Sequence, residues 1–304
     1  MSGDCPGGWK AGKEMPRLVS GPQEVGIAFS SGFFGFFAHA GFLAALRELS
    51  ISPVAYSGAS SGAIVAAMAA SGMTDDAIKK MLFSVSKEAF WDPVPWHFTV
   101  RKALRLFRGF SGYLRGNAFA RLLEELPARR IQDCKVPLAI AATDLTKKEG
   151  AILTKGNLAK AIQASGAVPM LFQPVEIDGS LFVDGGISNK APVQALTDLV
   201  DLKCIIVHFI ASQNIGPGAN EFLVRRMTPW HIHYLSFNIA RQEAYKRQLE
   251  NVRMQGIEVI EIRTEAPPIG PDKLDRGPAA YLSARESALK TLSRLESVGV
   301  NGFQ

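Results

Sequence analysis

The stretch Pro53-Val54-Ala55-Tyr56-Ser57-Gly58-Ala59-Ser60-Ser61-Gly62, continued by "AIVAAMAASG", decides the fold. Residues 53–56 are a short β-prone run, and Gly58-Ala59-Ser60-Ser61-Gly62 has the spacing G-x-S-x-G. The alanine-rich run behind it predicts a helix. Strand, tight glycine turn and helix in that order describe a nucleophile elbow with Ser60 at its apex. Gly58 and Gly62 let chain segments approach closely there, and the helix N-terminus brings partial positive charge to the serine. The pentapeptide alone equally describes a small-residue turn in front of a buried helix, because such short motifs recur by chance.

Upstream, residues 25–30 ("VGIAFS") predict a first strand that runs into "SSGFFGFF" and a helix over residues 38–49. Downstream, Thr74 caps a helix with two acids in its first turn, and Asn117 caps "NAFARLLEEL". Residues 138–143 form an apolar strand that pairs with 152–154. Residues 175–177 and 181–183 flank an Asp178-Gly179 turn, the signature of a hairpin. The apolar run 204–210 is a buried strand of the parallel type, followed by a long helix from Pro229 to Gly256, the strand "IEVIEI" and a helix over 279–296. Strands alternating with helices predict an α/β sheet covered on both faces. The expected organisation is a flexible, Gly/Pro-rich lead over 1–23, then a single domain over 24–304. Its motif-bearing part is 25–210, with a C-terminal extension over 211–304.

The 304 residues are 47% hydrophobic and 20% charged, the composition of a soluble globular protein. No apolar run reaches the ~18 residues of a membrane span, and the N-terminus has no signal-peptide apolar region. Cys5, Cys134 and Cys204 share no metal-ligand spacing, and their odd number points to reduced thiols in the cytoplasm. No metal or other cofactor and no nucleic-acid partner is expected. The net charge of +6 suits contact with an anionic surface and equally suits solubility alone.

A nucleophilic serine needs a base. His39 lies in an apolar helix and His208 in an apolar strand, where core packing is the expected role; His231 and His233 stand at a helix start. Asp178 belongs to the hairpin turn. Asp184 leaves the second hairpin strand and is followed by Gly185-Gly186, which fits a turn aspartate and also a carboxylate exposed in a crevice.

From about residue 25 to 193 the chain resembles the patatin-like phospholipases. The parts stand in that family's order: a glycine loop after the first strand with "AHAGFLAAL", G-x-S-x-G at Ser60, "AATDL", "LAKAIQASGAVPMLFQPVEIDG", and "FVDGG" at Asp184. The resemblance implies a three-layer α/β/α fold with a parallel-rich central sheet. It implies an acyl hydrolase acting on phospholipid or other lipid esters through a Ser–Asp dyad, with no histidine required. Ser60 is then the nucleophile and Asp184 the base, with Gly185 and Gly186 as motif glycines. Backbone N–H groups of Gly32, Phe33, Phe34, Gly35 and Ser61 are the expected oxyanion hole. The family's G-G-G-x-R-G loop is replaced by "SSGFFGFF", so its arginine is absent. A catalytically impaired lipid-binding homologue, and an ordinary α/β-hydrolase with a Ser-His-Asp triad, are the rival readings.

Between residues 91 and 115 basic and aromatic residues interleave. Arg101, Lys102, Arg105 and Arg108, with Trp91, Trp96 and Phe98, form a basic amphipathic segment suited to lipid contact and placed to cover the crevice. A core-facing helix with a solvated basic face has the same pattern.

Overall fold

Val25–Phe29 (β1) is buried at every position and starts an eight-stranded sheet in this computed structural model, which describes residues 24–95, 111–211, 229–265 and 269–300. The elements that follow are Phe36–Glu48 (α1), Ala55–Ala59 (β2), Ser61–Ala70 (α2), Asp75–Phe83 (α3), Lys87–Phe90 (α4), Gly112–Leu114 (β3) and Asn117–Leu123 (α5). Leu138–Asp144 (β4), Glu149–Leu153 (β5), Leu158–Ser165 (α6), Met170–Phe172 (β6), Val175–Ile177 (β7), Ser180–Asp184 (β8) and Val193–Thr197 (α7) come next. Cys204–Ile210 (β9), Pro229–Met254 (α8), Glu258–Thr264 (β10) and Gly277–Val300 (α9) complete the order.

The main sheet runs β10-β9-β1-β2-β4-β8-β7, parallel from β10 to β4 and antiparallel beyond, with β5 antiparallel on β4. Helices cover both faces. On one, α1, α2, α3 and α9 close a core around Phe29, Phe42, Leu46, Met68 and Ile206. On the other, α7 and α8 bury Val193, Leu196, Tyr245, Leu249 and Val252 against Ile205, Val207 and Phe209. Both faces of β9 are therefore covered, which is why its sequence is apolar without alternation.

Register positions the site. Ala141 of β4 pairs with Ala59 at the end of β2, while the next residue, Ala142, pairs with Asp184 at the end of β8. Positions 140–144 of β4 also pair with β5, so β2 and β8 share the opposite edge of β4 and abut end to end. Residues 60 and 184, far apart in sequence, leave that junction together. The hairpin expected over 175–183 is present, with Asp184 as the last residue of its second strand.

One expected cap is corrected. Gly116, in the left-handed conformation, is the N-cap of α5, and the Asn117 side chain does not cap it. The orphan N–H groups of Gly116, Asn117 and Ala118 instead meet the Asp92 carboxylate at 2.9, 2.7 and 3.2 Å. Asp92 offers two charged acceptors to the positive end of the helix from outside it. Thr74 caps α3 as expected, accepting from Ala77 N.

Candidate active site

Ser60 has φ 54° and ψ −120°, a conformation costly for a residue with a Cβ and held here by its surroundings. A Cβ on Gly62 would lie 2.5 Å from the Phe29 carbonyl oxygen, and one on Gly58 would lie 2.5 Å from Gly62 itself. The turn therefore closes against the end of β1 only with glycine on either side of the serine. α2, apolar on all faces and buried along its length, anchors the elbow from behind.

Ser60 Oγ donates to Asp184 Oδ2 at 2.7 Å. The other carboxylate oxygen, Oδ1, accepts from Gly186 N at 2.7 Å. Asp184 is buried, and desolvation pushes its pKa above the ordinary aspartate value; the Ser60 hydroxyl, the Gly186 amide and the Arg241 charge pull the other way. Gly185 is indispensable to the turn, since a Cβ there would lie 2.0 Å from the Ala141 oxygen. Thr143 Oγ1 donates to the Asp184 carbonyl at 2.9 Å.

The run "AIQASGAVP" holds both partners, a role its residues alone did not disclose. Ser165 Oγ accepts the Ser60 amide at 2.8 Å, and the Ala167 carbonyl accepts the Asp184 amide at 2.9 Å. A serine at the C-terminal end of a helix gives no local signal for this contact.

In the glycine loop, Gly35 N donates to the Gly32 carbonyl at 2.9 Å, closing a turn in which Phe34 takes φ 52°. The Gly35 amide, expected among the oxyanion donors, makes this turn hydrogen bond. Gly32, Phe33 and Phe34 stand beside the elbow in one pocket with Ser60 and Ser61. Ser61 Oγ is buried with no hydrogen-bond partner among the described residues.

His39 and His208 are buried together behind this loop, as core residues. His39 Nε2 lies 2.8 Å from the Ser30 carbonyl, its Nδ1 lies 2.7 Å from His208 Nδ1, and His208 Nε2 lies 2.9 Å from Thr264 Oγ1. Burial pushes His39 down to about 3 and His208 well below its ordinary value, so both rings are neutral. His39 Nε2–H then donates to Ser30, His208 Nδ1–H donates to His39, and Thr264 donates to His208. Both ring nitrogens of His208 are engaged away from Ser60, which removes it as the base of a triad.

An apolar pocket opens at Ser60, with Ile64 and Met68 of α2 along one wall, spaced four and eight residues from the serine on one helix face. Phe36, Leu82, Leu123, Phe119 and Trp91 line the rest. Among the described lining residues Ser60 and Ser61 carry the only hydroxyls. Trp91 is thus a wall of the pocket, with Lys87 Nζ 4.9 Å from its ring centre. Trp96, Phe98, Arg101, Lys102, Arg105 and Arg108 lie outside the described residues. Among the described residues no helix is long and apolar enough to cross a membrane.

The sequence profile described as "Patatin-like phospholipase" matches residues 27–197. An uncharacterized NTE family protein of Mycobacterium bovis is 30% identical over 203 residues, 66% of this chain and 53% of that protein, so the chain spans about half the length of this relative. Lysophospholipase NTE1 of Cryptococcus neoformans is 25% identical over 179 residues, 58% of this chain and 10% of that one. Among solved structures, VipD from Legionella pneumophila aligns over 90% of this chain and 68% of its own, at 16% identity and a TM-score of 0.47.

Proposed function

Because the chain belongs to the patatin-like phospholipase family, we propose that it is a lipid acyl hydrolase of the phospholipase A or lysophospholipase kind, with Ser60 as nucleophile and Asp184 as general base. The 2.7 Å hydrogen bond from Ser60 Oγ to Asp184 Oδ2 at the mouth of an apolar pocket carries this reading. As Ser60 attacks the ester carbonyl, its proton passes to Asp184, whose buried carboxylate is a stronger base than a solvated one. The developing oxyanion meets backbone N–H groups of the glycine loop and of Ser61 at the start of α2. Collapse of the tetrahedral intermediate expels the alcohol, which takes the proton from Asp184. Water then attacks the acyl-enzyme, with Asp184 again accepting the proton. The second collapse breaks the acyl–Oγ bond, releasing the fatty acid as Ser60 Oγ takes the proton back from Asp184. The acyl chain occupies the pocket along Ile64 and Met68, and the mouth meets an anionic lipid surface peripherally.

A fluorophosphonate probe should label Ser60 alone, and Ser60→Ala should abolish labelling and ester hydrolysis while the protein stays folded. Label mapped to Ser57 or Ser61, or full activity in the variant, would refute the assignment.

A further inference from the structure

Ser31, Gly186 and Arg241 meet behind the dyad. Arg241 comes from α8, outside the residues that match the family profile. Its Nη2 donates to Ser31 Oγ at 2.7 Å and its Nη1 to Asn238 Oδ1 at 3.3 Å, with the guanidinium 5.4 Å from the Phe237 ring centre. Ser31 opens the glycine loop, and its own amide donates to the Lys190 carbonyl at 2.7 Å. Gly186, whose amide holds Asp184 Oδ1, lies so close that a Cβ would stand 2.6 Å from Ser31 Oγ and 2.8 Å from Arg241 Nη2. One half-buried guanidinium therefore braces both the glycine loop and the turn that carries the base.

We propose that Arg241 is a positioning residue for the Ser60–Asp184 pair, locking the glycine loop against the Asp184 turn through Ser31 and setting the charge at which Asp184 works. The proposal rests on the dyad reading. A buried carboxylate tends to take up a proton, and the Arg241 charge acts against that tendency. The groups facing Asp184 are the Ser60 hydroxyl from the elbow, the Gly186 amide from its own turn, the Thr143 hydroxyl from β4, the Ala167 carbonyl beyond α6, and Arg241 from α8. Lys190 is the group on which the charges of Arg241, Arg263 and Glu261 act together. Lys190 is pushed down to about 8 by burial first, then by Arg241 and Arg263, and Glu261 pairs with Arg263. Two further cations, one of them already inclined to lose its proton, do not replace a guanidinium bonded directly to the loop.

The test is the pH profile of hydrolysis of a short-chain soluble ester by Arg241→Gln, Arg241→Lys and Ser31→Ala, with titration of the isotopically labelled Asp184 carboxyl by NMR. Arg241→Gln removes a positive charge, so the Asp184 pKa and the acid limb of kcat/KM should rise by roughly one pH unit. Its plateau kcat should fall on the order of 10- to 100-fold through misplaced groups, with KM little changed. Arg241→Lys should restore the limb and not the plateau. Ser31→Ala should lower the plateau and leave the limb in place. A folded Arg241→Gln protein with limb, plateau and carboxyl titration unchanged overturns the proposal. If Arg241→Gln does not fold, an Arg241→Lys protein with full kcat overturns it equally. A parent protein that takes no fluorophosphonate and cleaves no ester would refute the hydrolase reading, while the carboxyl titration still decides the role of Arg241.

Discussion

Asp184 is a buried carboxylate, and under the proposed hydrolase reading its neighbours tune it as a base. Two hydrogen bonds and a guanidinium counter its desolvation only in part, so its pKa stays above the ordinary aspartate value. Asp184→Asn preserves the acceptor for Gly186 N and removes the buried charge. It should lower kcat/KM nearly as far as Ser60→Ala while thermal stability is unchanged or raised, as active-site charges commonly oppose stability. A melting temperature several degrees below the parent would contradict this. Ser165→Ala leaves the Ser60 amide without its partner, so about 1–3 kcal/mol of stability should be lost together with kcat; chemical denaturation and turnover measured on the same protein check both. His39 and His208 act in the opposite direction to Asp184. Their folded pKa values lie below the ordinary 6.5, so as pH falls from 6.5 towards about 3 the unfolded chain binds protons that the native state does not. Each ring then weakens folding by roughly 1.4 kcal/mol per pH unit. The urea midpoint should drop steeply between pH 6.5 and 4.5 and less steeply in His39→Gln; equal slopes would refute the buried neutral pair as the cause.

Among elements, β4 matters most. Its one edge carries β2 in its first half and β8 in its second, and this shared edge brings Ser60 and Asp184 within one hydrogen bond. A one-residue slip of β8 would turn the Asp184 side chain to the other face of the sheet, and the close contact of Gly185 with Ala141 stands against such a slip. The mixed sheet is thus a requirement of the site, because an antiparallel hairpin can end against a parallel strand where another parallel strand could not without a long crossover. α5 depends on a carboxylate more than twenty residues upstream. Asp92→Ala removes an acceptor from three N–H groups at once and should cost about 1–2 kcal/mol. It should also loosen the pocket wall formed by Phe119, Leu122 and Leu123, read as slower hydrolysis of long-chain esters with short-chain turnover retained. Equal losses on both substrates would refute that division.

At the scale of the whole molecule, the pocket has an exposed aromatic ring in its lining. Phe33 on its rim is 60% exposed, and Met170, beside the lining residue Leu171, is 74% exposed. Large exposed apolar side chains at the mouth of an apolar pocket suit contact with lipid. If the basic segment around residues 101–108 meets an anionic surface, as proposed, each Lys or Arg near the bilayer is worth ~1 kcal/mol. Binding to anionic vesicles should weaken with salt and in a variant carrying glutamine at Arg101, Lys102, Arg105 and Arg108. Phe33→Ser should weaken it further, with a small soluble ester still hydrolysed. Vesicle binding unchanged in the quadruple variant would reduce that segment to a solvated surface.

The sequence by itself determined what is local. The elbow at Ser60, the apolar β9, the Asp178-Gly179 hairpin, the Thr74 cap and the glycines at 58, 62, 185 and 186 all follow from periodicity, steric room and turn chemistry within a few residues. Its ordered motifs also carried the likeness to the patatin-like family. The order of motifs along a chain, however, contains no edge register. That Asp184 ends β8 one residue beyond the point where β2 ends on β4 is a property of the assembled sheet, as is the meeting of Ser165 with the Ser60 amide. Asp92 at the head of α5, His208 against His39, and Arg241 against Ser31 are likewise contacts between distant segments. None has a periodic or local signature, because each is stabilised only once burial has excluded water and brought the segments together. The tertiary structure decided them.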